Sequence, residues 1–127
     1  MERLVTKRLF WHTPVSGTAV SGPQSSAIDL RIGVLRLEAL TFIASSVGST
    51  ADIGAFFRVG ADGVSWGSYA DQTALLTSTF SLANPEGYKA LSLPLALAPF
   101  IQFAFSGTGS NPQDTVVTAD LILRMAQ

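Results

Sequence analysis

His12 is the single imidazole of the chain, so any Ser/His/Asp triad would have to be built on it. It stands in Phe10-Trp11-His12-Thr13-Pro14, among bulky apolar residues and before a turn, and the chain holds no G-x-S-x-G elbow. Its plain role is that of a polar residue at a strand end. Glycoside hydrolysis needs two carboxyl groups about 5–10 Å apart in a cleft. There are nine acidic residues, but Asp52, Asp62, Asp71 and Asp114 fall where a turn calls for Asp. There the side chain closes the turn by accepting local backbone amides. The D-x-D-x-D spacing of a calcium loop is absent. A looser site from Asp52, Asp62 or Asp71 with backbone carbonyls stays open. The run Ser106-Gly107-Thr108-Gly109-Ser110-Asn111-Pro112 has the glycines of a phosphate cradle. It lacks the lysine and is followed by a strand pattern, so its glycines are better read as freeing a tight connection. Without cysteine, thiol nucleophiles, disulfides and iron–sulfur clusters are excluded. A non-enzymatic chain with no metal and no cofactor is therefore expected.

The most pointed local motif is Arg58-Val59-Gly60-Ala61-Asp62-Gly63-Val64-Ser65-Trp66-Gly67-Ser68-Tyr69. Asp62-Gly63 between two apolar runs signals a two-residue hairpin turn. Trp66 and Tyr69 follow on the returning strand. Exposed, that pair could stack on a sugar ring; the plainer expectation places Trp66 in the core.

The elements that must position these residues are strands. In 127 residues, enough for one domain, no window carries a long amphipathic helix pattern. Period-2 alternation recurs instead. Leu35, Leu37, Ala39, Thr41 and Ile43 share one face of a run, against Arg36, Glu38, Leu40 and Phe42. Ile53, Ala55, Phe57 and Val59 oppose Gly54, Phe56 and Arg58. Ile101, Phe103 and Phe105 oppose Gln102 and Ala104, and Val117, Ala119, Leu121 and Leu123 oppose Val116, Thr118, Asp120 and Ile122. Further strands are expected over Arg3–Phe10, Ala27–Ile32, Val64–Tyr69, Leu75–Leu82 and Tyr88–Leu93. Turns are expected at Ser21-Gly22-Pro23, Gly48, Asp62-Gly63, Asn84-Pro85-Glu86-Gly87 and Ser106–Pro112. This is an all-β chain, an antiparallel β-sandwich or jelly roll of about eight strands. Leu40, Phe42 and Phe56 on nominal outer faces imply either a second covered surface or a bulge that flips the register. Residues 1–24 divide off as an N-terminal strand and loop or arm, and residues 25–127 as the sandwich.

Charge is scarce. Asp, Glu, Lys and Arg make up 13% of the chain, against about 25% in an ordinary soluble domain. The net charge of −1 gives no electrostatic case for nucleic acid. The longest uncharged stretch, Ala90–Gln113, holds Pro94, Pro99, Gly107, Gly109 and Pro112, which no membrane-spanning helix would assemble. The N-terminus has no apolar core of a signal peptide after its charges. A small domain with so neutral a surface is expected to cover it by self-association or by docking on a larger assembly.

The Asp62–Trp66 hairpin resembles the S-x-D-G-x-x-W hairpin of galactose-binding-like and discoidin-type jelly rolls, with Gly60-Ala61 in place of Ser-x. It also resembles hairpins of small virion proteins of tailed bacteriophages, as does the stretch Ala98–Phe103 followed by Ser106–Leu121. These proteins are short, cysteine-free, charge-poor and all-β. The resemblance implies a capsid decoration (cement) protein that stabilises the head by bridging subunits. Its expected partners are itself, as a homotrimer, and the major capsid protein or another virion protein. The expected location is the virion, after synthesis in the host cytoplasm. The alternative is a carbohydrate- or receptor-binding module of a tail or neck component using Trp66 and Tyr69. For docking, the expected contacts are the basic Arg3, Lys7 and Arg8 with the apolar Phe10 and Trp11. The competing role for those charges is to guard an edge strand against aberrant pairing.

Overall fold

The computed structural model describes residues 2–15, 23–46, 52–67, 80–81, 86–93, 98–108 and 115–126. Among the described residues eight strands run in chain order: β1 (Glu2–Pro14), β2 (Ile28–Asp29), β3 (Val34–Ser46), β4 (Asp52–Gly60), β5 (Phe80–Ser81), β6 (Glu86–Ser92), β7 (Phe100–Thr108) and β8 (Thr115–Ala126). They form two four-stranded sheets, β1-β8-β3-β6 and β2-β7-β4-β5, and every pairing is antiparallel. First pairs with last, second with seventh, third with sixth, fourth with fifth. That nested order is the wind of a jelly roll.

β8 shows why the chain folds this way. Its alternation is unbroken: Val117, Ala119, Leu121 and Leu123 are buried, and the residues between them are half-buried. One face of a pleated strand is thereby committed to the core. β7 does the same from the opposite sheet with Ile101, Phe103 and Phe105. The sheets are clamped where Phe105 meets Phe10 and Phe42 edge-on, with ring centroids 5.5 and 5.0 Å apart. Edge-to-face contact suits the quadrupoles of the rings and buries large apolar area.

β3 answers the question its sequence left open. Its register against β8 shifts between Leu37 and Ala39. The extra residue, Glu38, turns Leu40, Phe42 and Ala44 inward and puts Thr41 and Ile43 outside. A one-residue bulge thus reverses the faces that strict alternation assigns. Phe56 is different. It stays on the outer face of β4, half-buried beside the fully buried Ala104 of β7.

Of residues 1–24, the stretch Glu2–Pro14 is β1, an edge of the first sheet, and Phe10 and Val15 join the common core. Further on, Ser25 exchanges hydrogen bonds with Phe103 and continues the line of β2 along β7. The Asp62-Gly63 turn is wider than the two-residue form expected. The chain bends through Ala61–Ser65 and closes at a bridge between Gly60 and Trp66. Asp62 Oδ1 accepts the amides of Val64 and Ser65 at 2.9 and 2.7 Å, and Gly63 takes a left-handed φ of 77°. The strand expected over Val64–Tyr69 is only that bridge as far as Gly67. Ser68 and Tyr69, most of Leu75–Leu82, and the turns at Gly48 and Asn84-Pro85 lie outside the described residues. Glu86 and Gly87, expected in that second turn, open β6.

Candidate binding surfaces

The residues expected to dock do not share one face. Antiparallel partners share a face, so the ladder sorts them. Arg3 and Lys7 pair with Met125 and Leu121, and Val5 between them pairs with Leu123, so these three point to the inner side of the sheet. Arg8 pairs with Asp120 on the outer side. Phe10 is 6% exposed and belongs to the core. Trp11 is 63% exposed.

Plain alternation separates Arg8 from Arg3 and Lys7, and two irregularities in β1 then reset the faces of the residues that follow. The register against β8 shifts between Arg8 and Phe10, and again between Phe10 and Thr13. At the second shift His12 adopts φ 46°, a left-handed conformation that costs a side-chain-bearing residue about 1 kcal/mol. The His12 amide donates to Thr118 Oγ1 at 3.0 Å, which holds the bulge in place. Trp11 is thereby aimed out of the sheet. His12 braces its ring edge-on at 4.3 Å, and the Arg8 guanidinium lies over it at 4.7 Å. Arg8 is fixed in turn by two hydrogen bonds to the Asp120 carboxylate, at 2.7 and 3.2 Å, and these raise its pKa. His12 is thus a backbone device at the bulge, beside an aromatic side chain.

A groove of about 210 Å³ opens on this outer face. Trp11 bounds it on β1 and Tyr88 on β6, with Thr118, Asp120, Thr41 and Ile43 between them. Tyr88 is 62% exposed. Sequence reasoning missed Tyr88, Ile43 and Asp120 as companions of Trp11. The signal was the strand order, which brings β6 and β1 to opposite edges of one sheet.

A second hollow, of about 470 Å³, lies between the two sheets at their β1 and β2 edges. Val5, Ile28, Val34, Leu123 and Met125 give it an apolar lining, and Lys7, Asp29 and Ile32 join them. Ile32 is 77% exposed. Arg31 binds Asp29 through Nη2 at 2.9 Å and stacks over Phe100 at 4.7 Å. Its hydrogen bonds hold the Asp29 carboxyl below the ordinary range.

Trp66, expected in the core, is half-buried and outside it. The widened loop carries it back over Gly60 on the outer side of the second sheet. Arg58 lies 5.3 Å from its ring. That guanidinium donates to Gln102 Oε1 at 2.7 Å and to Gln24 Oε1 at 3.2 Å, and Gln102 donates to the Ser25 carbonyl at 2.7 Å. The proposed partner of Trp66, Tyr69, lies outside the described residues.

At the far end of the first sheet, Glu38 accepts from Arg124 at 2.6 Å and from Arg36 at 2.7 Å, and Arg124 also reaches Glu2 at 3.2 Å. The two guanidiniums, Arg124 first, hold the Glu38 carboxyl below its ordinary pKa. Asp62 is held low by the amides of Ser65 and Val64, both of which donate to Oδ1. Asp71 and Asp114 lie outside the described residues. Among the described residues no cluster of three His, Asp or Glu side chains could hold a metal, and no helix is long and apolar enough to cross a membrane.

No known protein family matches the chain, and no curated protein matches it. Among solved structures, it is similar to one titled as the crystal structure of the SPBc2 prophage-derived protein YomS. The two are 15% identical, with a TM-score of 0.49, over 98% of this chain and 95% of that one.

Proposed function

We propose that this protein is a non-enzymatic structural component of a tailed-bacteriophage virion, a capsid decoration subunit that works through contact. The observation that carries this reading is the apolar hollow beside the edge strand β1, with Ile32 standing 77% exposed at it. A neighbouring side chain entering the hollow would take the half-buried Val5, Val34 and Met125 out of water, at roughly 25 cal/mol per Å² of apolar area removed. Arg3 and Lys7 flank Val5 on the same side of β1. Charges at such a rim orient an approach and discourage indiscriminate strand pairing, while the apolar contacts carry the affinity. The charge-poor sequence and its resemblance to small phage virion proteins support the same reading. The mechanism is mass action: a subunit that binds joined capsid proteins more tightly than separated ones holds them together. The trimer and the capsid protein are the proposed partners.

Sedimentation velocity of the purified chain tests this. A trimer or larger species is expected, weakened by Ile32→Glu, which puts a charge at the hollow without touching the core. A monomer at high micromolar concentration that also fails to cosediment with phage heads contradicts it.

A further inference from the structure

We propose that the groove between Trp11 and Tyr88, on the outer face of the first sheet, binds a short neutral oligosaccharide. The two rings stand on the edge strands of one sheet. Three strand spacings of about 4.8 Å separate β1 from β6, so the backbones that carry the rings lie roughly 14 Å apart, the span of a short sugar chain. Each ring is well exposed, Trp11 at 63% and Tyr88 at 62%. The negative π face of an aromatic ring attracts the weakly positive C–H face of a pyranose; on Trp11 the Arg8 guanidinium takes one face, so the sugar stacks on the other. Between the rings, around an exposed Ile43, the floor carries polar groups that hydroxyls can reach: the Asp120 carboxylate, the Arg8 guanidinium, and Thr41 and Thr118. Carboxylate and guanidinium together accept from and donate to adjacent hydroxyls.

The class of sugar follows from the charge. Arg8 and Asp120 neutralise each other at 2.7 Å, so neither an acidic nor a basic glycan is favoured. The same pair argues against a second copy of the chain as occupant. A dry protein joint would strip water from an ion pair without replacing its hydrogen bonds, which is costly. A sugar brings its own donors and acceptors. The surface is also prepared. A left-handed His12 and two register shifts aim Trp11 outward, and Arg8 and His12 hold its ring in one pose. A ring ordered before binding loses less entropy on binding.

The site is separate from the hollow between the sheets, so the two readings fail separately. The chain holds two tryptophans, Trp11 and Trp66, and therefore two indole N–H signals, which Trp66→Phe assigns. The ¹⁵N-labelled protein is titrated with maltotriose, cellotriose, mannotriose and triacetylchitotriose to about 10 mM, enough to saturate a site with a Kd of about 1 mM. At least one is expected to shift the Trp11 indole saturably and leave Trp66 in place. Trp11→Ala and Tyr88→Ala should each weaken that sugar by about tenfold or more, with sedimentation unchanged. No response of Trp11 to any of the four overturns the proposal. So does a response confined to Trp66. A Trp11 signal that moves with protein concentration alone would assign the groove to a second copy.

Discussion

The molecule presents the same pair of residue types twice, an arginine over a tryptophan, once on the outer side of each sheet. On the second sheet, Arg58 is tied to Gln102 and Gln24, and Trp66 is half-buried over Gly60. On the first, Arg8 is tied to Asp120, and Trp11 stands in solvent beside a groove. The first arrangement fastens a loop and a segment to a sheet. The second leaves an aromatic surface and a charged pair open to a visitor. What separates them is the backbone underneath: a loop that folds back over a glycine, against a bulge that turns a side chain away.

Substitutions can break the contrast. The largest effect is expected at Gly60. A Cβ there would lie 2.5 Å from the Ser65 carbonyl oxygen and 3.0 Å from the Trp66 ring. Gly60→Ala must therefore push the Ala61–Ser65 loop off the sheet, with a loss of about 2 kcal/mol in urea unfolding. Trp66→Ala comes next, at about 1–2 kcal/mol, since the ring is half-buried and supports Arg58. Trp11→Ala should cost less than about 0.5 kcal/mol, as expected of an exposed side chain away from the core. A cost at Trp11 equal to that at Trp66 would erase the distinction. The smallest effect is in acid. Glu38 titrates lower when folded than when unfolded, because Arg124 and Arg36 favour its charged form. Its contribution is complete above the unfolded value of about 4.3, and is lost as pH falls through the folded value. Glu38→Gln should therefore flatten the fall in urea midpoint between about pH 5 and pH 3 while barely changing the groove. An unaltered acid slope would show the ion pairs to be idle.

The fold was legible where the strands are regular. β8 keeps strict alternation from Thr115 onward, and its faces follow from sequence alone. β3 was not legible in the same way. Leu40 and Phe42 look outward by counting, and only the bulge at Glu38 turns them in. Counting left a covered surface and a bulge both open, and it cannot say where an inserted residue falls. The groove was legible only in fragments. Trp11 stood out as an aromatic beside basic residues, and Tyr88 as a stray aromatic far along the chain. Their meeting depends on β8 and β3 lying between β1 and β6, which no local pattern encodes. The placement of Phe10 next to Trp11 misled for a related reason. Neighbours in a strand point to opposite sides, so a pair adjacent in sequence cannot present one surface.

Function through contact at β1 and its hollow is tested most directly by amide hydrogen exchange, followed by mass spectrometry on the free chain and on the chain bound to phage heads. Binding should slow exchange along the edge strand β1 and at Leu30–Ile32, because those amides and their surroundings leave solvent. Exchange over Gly54–Arg58, at the centre of the opposite sheet, should stay as it is in the free chain. Unchanged exchange in β1, with protection only on the outer side of the second sheet or nowhere, would contradict docking through this edge.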